Sequence, residues 1–367
     1  MTAAKHVVHI AARCTGSRVN CHAPTTSHAS YRRMYKILII GPSWVGDTML
    51  MQPMLMRLKQ RHPDSLIDIL APPWTVDLLR AIPEVHDVII NPFPHGALDL
   101  KKRYQFGKQL RDARYDQAIV LPNSLKSAFV PFFAHIPLRT GFIGEARFGL
   151  LNDARGLNKA RLPLMVERFA QLAEQAGDDI PRPLSNPKLI ITEAQRNATL
   201  HKLGLTLNGP VAVFCPGAEY GPAKRWPIPY FAELAQRLRK EGFTVLLIGS
   251  PKDKAIADKI VSLGNDACHN LCGSTDLGDA VALLSCAELV ISNDSGLMHL
   301  AAALDRPMLA LFGSSSPRFT PPLSTHAEVV ILDLKCSPCF KRECPLGHFN
   351  CMVQLTPDLV WQKIEQM

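Results

Sequence analysis

The 367-residue chain has no apolar run of the ~18 residues that a membrane-crossing helix requires. Its best stretch, 128–137, is short and is interrupted by Pro131 and His135. A spanning helix is therefore excluded. Concentrated positive charge is missing as well. The formal net charge is +9, but residues 1–34 hold Lys5, Arg13, Arg18, Arg32 and Arg33 and no acid, so the remaining 333 residues carry 36 basic and 32 acidic groups. A body so close to balance lacks the electrostatic footprint of a nucleic-acid binder. The modest excess suits an enzyme that handles phosphates near an anionic membrane. No apolar core of about 7–15 residues follows the leader's charges, so an export signal is not expected there. The first strand is not followed by Gly-x-Gly-x-x-Gly, which leaves a dinucleotide site unsupported. No Asp-x-Asp pair is placed to hold a metal ion.

Composition and length favour a globular enzyme of two domains. Residues 1–33 are basic, rich in Ser, Thr, Ala and His, and show no sustained hydrophobic period. They are expected to be a disordered extension, read as an upstream start or a transit peptide. From Met34 onward, strands alternate with helices, the pattern of parallel sheets. Strands are expected at 35–40, 66–71, 87–91 and 117–121. A helix over 47–61 should be kinked near its start by Pro53, and another is expected over 165–175. The Pro-rich stretch 178–187 reads as a link. The pattern then restarts, with strands at 211–214, 243–248, 289–292 and 308–312 and helices at 229–241, 277–285 and 296–304. The predicted class is α/β: two Rossmann-like, doubly wound domains facing across a cleft. Ligands of such sheets sit beyond the carboxyl ends of strands, in the loops that enter helices.

Three such loops carry chemistry. Gly41-Pro-Ser-Trp-Val-Gly-Asp47 follows the first strand. Asp47 at a helix start is either an N-cap or a carboxylate projecting into the cleft as a general base. Cys215-Pro-Gly-Ala-Glu-Tyr-Gly-Pro-Ala-Lys224-Arg225-Trp226-Pro227 places two adjacent cations before a helix, where a diphosphate would be met. Ser292-Asn-Asp294-Ser295-Gly296-Leu-Met-His299 ends a buried strand and opens a small-residue helix whose amides form an anion site. Asp294 is misplaced if it faces phosphate and is expected to fix the loop or a cationic partner. His299, one turn further on, either reaches a phosphate or is a satisfied core histidine.

Four of the ten cysteines cluster as Cys336-x2-Cys339-x4-Cys344-x6-Cys351. Four thiols within sixteen residues permit structural zinc, with His348 as an alternative ligand, although zinc ribbons separate their cysteine pairs more widely. Reduced, unbound thiols are the other reading. The cluster is assigned no part in catalysis.

The segments GPSWVGD (41–47), LPNSLKSA (121–128), RTGFIGEAR (139–147), LMVERF (164–169), CPGAEYGPAKRWP (215–227), NDSGLMHLAAAL (293–304) and FTPPLS (319–324) resemble those of the heptosyltransferase II branch of glycosyltransferase family 9. The likeness is collinear from Met34 to about Leu334. It implies the GT-B fold, with an acceptor-side domain over 34–185, an ADP-heptose-binding domain over 186–355 and a terminal helix within 356–367. Asp47 then matches the catalytic base and Lys224 the donor-phosphate lysine. Glu219, Arg225, Thr275, Asp294, Ser295, Gly296 and His299 fall on the donor side, and Ser43, Asn123 and Lys126 on the acceptor side. The implied reaction is inverting transfer of L-glycero-D-manno-heptose from ADP-heptose to heptosyl-Kdo-lipid A, with no cofactor required. The implied setting is the cytoplasmic face of the inner membrane, by peripheral contact with its anionic surface. Three alternatives stay open: a sister enzyme adding the first heptose or another core sugar, a sugar-nucleotide epimerase, and a non-catalytic nucleotide sensor. Turnover of ADP-heptose with and without acceptor separates them.

Overall fold

Continuous apolar runs such as KILII and VAVFC can be satisfied only where both faces of a strand are covered, which is the environment of a parallel sheet. The computed structural model describes residues 33–94 and 96–367, and the leader over 1–32 lies outside them. Two six-stranded parallel sheets result. The first contains β1 (Lys36–Ile40), β2 (Leu66–Ala71), β3 (Asp87–Ile90), β4 (Gln117–Val120), β5 (Leu138–Phe142) and β6 (Asp153–Arg155), in the order β3-β2-β1-β4-β5-β6. The second contains β7 (Val211–Cys215), β8 (Thr244–Leu247), β9 (His269–Asn270), β10 (Leu289–Asn293), β11 (Met308–Phe312) and β12 (Ala327–Ile331), in the order β12-β11-β10-β7-β8-β9. Counted within each half, both orders are the same doubly wound one. The order reverses between β1 and β4 in the first sheet and between β7 and β10 in the second. Those two switch points are where an open α/β sheet binds ligands. They are also where the three chemistry-bearing loops emerge.

The halves meet through packed helices. The helix Val45–Leu50 lies against the helix Gly296–Ala303, and glycine permits the approach. A Cβ on Gly46 would stand 2.7 Å from Cδ2 of His299, and one on Gly296 would stand 2.8 Å from Cβ of Val45. The Gln52 side chain both donates to and accepts from the Lys188 backbone, at 3.0 and 2.8 Å, pinning the link to the first half.

Most predicted elements are present, and the differences have causes. The helix expected over 47–61 begins at Val45 and breaks at Met51 into Val45–Leu50 and Gln52–Arg61, with Pro53 in the first turn of the second piece, where its missing N–H costs nothing. Trp44 occupies the N-cap position, so Asp47 is not the cap; it stands in the first turn and its side chain caps nothing. The helix Glu193–Lys202 escapes a periodicity reading because Thr199 is its one buried residue; a capping box between Thr192 and Gln195 secures its start instead. β5 and β6 escape because they carry Arg139, Thr140, Asp153 and Arg155 rather than an apolar run. The terminal helix Pro357–Ile364 is no separate unit: Val360 is buried in the same core as Phe214 and Trp226.

Trp226 anchors that second core. It is 2 % exposed, packs edge-on against Phe231, and donates from Nε1 to the Leu355 carbonyl at 2.6 Å. Trp226→Phe should lower unfolding free energy by about 2–4 kcal/mol, from the cavity and the orphaned carbonyl together. Denaturant unfolding checks it, and a change below about 0.5 kcal/mol would contradict this anchoring role.

Candidate active site

At the first switch point, β1 delivers the loop Gly41–Trp44 and then the short helix that carries Asp47. Asp47 is partly buried. Burial raises its carboxyl to about 6, against a smaller opposing pull from the nearby Lys224 ammonium. From β4 comes the loop carrying Asn123 and Lys126. Arg147, 2 % exposed, organises that loop: its guanidinium donates to the carbonyl of Pro122 at 2.5 Å and to Oδ1 of Asn123 at 3.2 Å. Glu145 accepts from the Leu125 amide at 2.9 Å on the outer side. Sequence reading singled out neither Arg147 nor Glu145 as the support for the acceptor-side residues; their joint occurrence in RTGFIGEAR was the available signal.

At the second switch point, β7 delivers the loop that carries Glu219, Lys224 and Arg225, while β10 delivers Asp294, Ser295 and Gly296. The fully buried side chain of Asn293 ties the two together, accepting from the Trp226 amide at 3.0 Å and donating to the Pro216 carbonyl at 2.8 Å. Lys224 Nζ then meets Asp294 Oδ2 at 2.6 Å, so Asp294 does fix a cationic partner. Asp294 also accepts from the Ser315 hydroxyl. His299 is 6 % exposed. Burial lowers its imidazole to about 4, with Asp294 opposing the shift and Lys224 adding to it, so it is neutral near pH 7. Ser295 is the N-cap of the helix Gly296–Ala303 and makes no side-chain cap bond, which leaves the first-turn amides available.

Between the switch points lies a cavity of about 950 Å³, ample for a nucleotide sugar. Ser43 from the acceptor side and Glu219, Thr275, Ser295 and Gly296 from the donor side line it, whereas Asp47, Asn123, Lys126, Lys224, Arg225, Asp294 and His299 are not among its lining residues. Glu219 forms an ion pair with Lys252 at its rim. Arg225 is held by the Ala218 carbonyl at 3.4 Å. Trp44 and Trp74 also line the cavity, and both stay about half exposed. Trp74 Nε1 donates to the Ser43 carbonyl at 3.2 Å. Neither tryptophan stood out in the sequence, since each sits in a loop without periodicity; a bulky aromatic beside Gly and Pro was the sole hint.

The family model of glycosyltransferase family 9 (heptosyltransferase) matches residues 103–350. Lipopolysaccharide heptosyltransferase 2 of Salmonella typhimurium is 47% identical over 341 residues, covering 90% of this chain and 98% of that protein. Its Escherichia coli counterpart is 46% identical with the same coverage. This chain belongs to glycosyltransferase family 9. The solved structure of E. coli ADP-heptose lps heptosyltransferase II superposes with a TM-score of 0.81 at 44% identity, covering 90% of this chain and 98% of that one. The family-9 chain is therefore an enzyme, a glycosyltransferase of two facing doubly wound domains.

Among the described residues, no three His, Cys, Asp or Glu side chains are grouped to hold a metal ion. Cys344 Sγ accepts the Phe349 amide at 3.4 Å and lies 4.0 Å from Nδ1 of His348. Cys351 turns inward on its own short helix, close to Gly313. Cys336, Cys339, Cys344 and Cys351 are all free thiols. No helix among the described residues is long and apolar enough to cross a membrane.

A desolvated carboxylate that Lys224 only partly compensates is a stability cost in this enzyme. Because the folded Asp47 titrates near 6 and an unfolded one near 3.8, folding binds a proton between those values, and stability falls as pH rises through that window. Asp47→Asn should therefore stabilise the fold at pH 7.5 by about 1–3 kcal/mol, with the advantage vanishing towards pH 4. Paired urea titrations at pH 7.5 and 4.5 measure this; a variant less stable than the parent at pH 7.5 would contradict it.

Proposed function

We propose that this family-9 enzyme transfers L-glycero-D-manno-heptose from ADP-heptose to heptosyl-Kdo-lipid A during assembly of the lipopolysaccharide inner core, with inversion at the anomeric carbon. One observation carries the mechanism: Asp47, a carboxylate raised to about 6, lies within the electrostatic reach of Lys224 across the junction of the two halves. A base with that affinity is ionised at neutral pH and still takes a proton readily. Asp47 removes the proton of the acceptor heptose hydroxyl as its oxygen attacks C1 of the donor sugar. The bond from C1 to the β-phosphate oxygen breaks on the opposite face, and ADP leaves with the electron pair.

The charge growing on ADP is met by Lys224, by Arg225 and by the amides opening the helix at Gly296, all preorganised before the donor arrives. Neutral His299 adds one N–H donor without adding charge. These groups account for the diphosphate's stabilisation without a cofactor. Ser43, Asn123 and Lys126, on the loops of the first half, hold the acceptor. The acceptor is a lipid, so the enzyme works at the cytoplasmic face of the inner membrane in peripheral contact with its anionic surface. Exposed Ile143 and Phe148 beside the acceptor-side loop support that placement. The high identity to heptosyltransferases 2 favours the second heptose over the first.

Transfer by the purified enzyme, with ADP-heptose and defined truncated acceptors, tests this assignment. Asp47→Asn should cut turnover by about 10³-fold while ADP-heptose affinity stays within a few fold. In the parent enzyme, kcat/KM should rise with pH through about 6 and then level off, because the carboxylate form is the active one. Near-normal turnover in the Asn variant, or consumption of ADP-heptose without acceptor, would overturn the proposal.

A further inference from the structure

The lysine that meets the diphosphate stands on a loop with little secondary structure of its own, a short turn over Pro222–Lys224. What fixes that loop comes from a distant part of the chain, the segment 337–342 inside the cysteine cluster. The Ala223 amide donates to the Arg342 carbonyl at 3.0 Å. Gly221 lies so close that a Cβ there would stand 2.4 Å from the same oxygen, so glycine is required by approach alone. Tyr220 is the residue where the two stretches meet. Its hydroxyl donates to the Phe340 carbonyl at 2.8 Å, while its ring centre lies 5.1 Å from Lys224 Nζ and 5.2 Å from the Arg342 guanidinium.

The same segment also holds the other half of the ion pair. The Phe340 amide donates to the Ser314 carbonyl at 2.6 Å, and the Ser337 hydroxyl donates to the Gly313 carbonyl at 2.6 Å. The next residue along that loop, Ser315, is the one that bonds Asp294. One brace thus supports Lys224 from one side and Asp294 from the other. An ammonium on a flexible four-carbon stem loses considerable freedom when it is held in one place, and an aromatic face at this distance favours its charged form.

We propose that Tyr220 is a positioning residue for Lys224: tethered through its hydroxyl to the 337–342 brace, it holds the ammonium aimed at the donor diphosphate. This rests on the assignment of Lys224 to the diphosphate. The brace explains a sequence feature that the reaction itself does not use, because the cysteine-bearing segment acts on the donor site through backbone contacts and this one ring.

The test measures ADP-heptose and ADP affinity by calorimetry, together with steady-state constants for both substrates. It uses Tyr220→Leu, Tyr220→Phe, Lys224→Ala and the Tyr220→Leu/Lys224→Ala double variant, each assayed well below its melting temperature. Tyr220→Leu should weaken ADP-heptose and ADP binding about five- to tenfold, the range of one partly desolvated cation–π contact, and leave the acceptor KM unchanged. Tyr220→Phe keeps the ring but loses the tether to Phe340, and should fall between Tyr220→Leu and the parent; donor affinity equal to the parent's would show that the hydroxyl tether does no positioning. In the Lys224→Ala background the Leu substitution should have no further effect on donor affinity. A merely structural tyrosine would weaken binding equally with or without Lys224, and that result would overturn the proposal. So would Tyr220→Leu binding within twofold of the parent while Lys224→Ala is impaired. Unchanged donor affinity in Lys224→Ala itself would remove the assignment of that lysine, and the proposal with it.

Discussion

The ion pair between Lys224 and Asp294 is the constraint around which the active site is arranged. Asp294 is 5 % exposed, and the lysine side chain retains 17% of its accessibility. Charges so placed lose hydration that their mutual attraction only partly returns, and a pair of this kind is weak evidence of stability for its own sake. It does bring a loop of β7 and the end of β10 to one point, and it stores a cation where a diphosphate will need one. Its field reaches further. Lys224 opposes the rise of the Asp47 carboxyl, and Lys224 and Asp294 act in opposite directions on His299. Four functional groups on two halves of the molecule, Lys224, Asp294, Asp47 and His299, thus share one electrostatic setting.

Close packing at the junction makes that sharing feasible. Gly46 and Gly296 let two helices approach until the His299 ring lies on the backbone beside Asp47. The same burial that keeps the imidazole neutral keeps the carboxylate basic, and both follow from excluding water at one seam. The base is therefore tuned by the half of the molecule that binds the donor, although it stands on the half that binds the acceptor.

Much of this was legible in the sequence, for identifiable reasons. β2, β11 and the helix Leu277–Ser285 were located to the residue because each is a strongly patterned apolar stretch with clear ends. Asp47, Lys224 and Asp294 stood out because each follows a continuous apolar strand, and a doubly wound sheet puts chemistry there. Asp294 was even legible as the partner of a cation, since a carboxylate makes no sense against phosphate. What escaped depends on contacts distant in sequence: Arg147 beneath Asn123, Asn293 between two loops, and Tyr220 against Phe340, a separation of 120 residues. The role of Asp47 as N-cap was a local inference, and the loop preceding it, which ends at Trp44, decided otherwise. The cysteine spacing left zinc and unbound thiols both open; the fold turns Cys351 toward Gly313 and sets the Phe349 amide on Cys344.

A double-mutant cycle on the central pair measures this linkage most directly, using Asp294→Asn, Lys224→Gln and both together, read as kcat/KM for ADP-heptose. If Asp294 acts by holding Lys224, the Asn substitution alone should lower kcat/KM substantially and do almost nothing once Lys224 is already Gln. The coupling energy should then exceed about 1 kcal/mol. Two losses that simply multiply would mean that Asp294 and Lys224 serve the donor independently, and would contradict a site organised around their pairing.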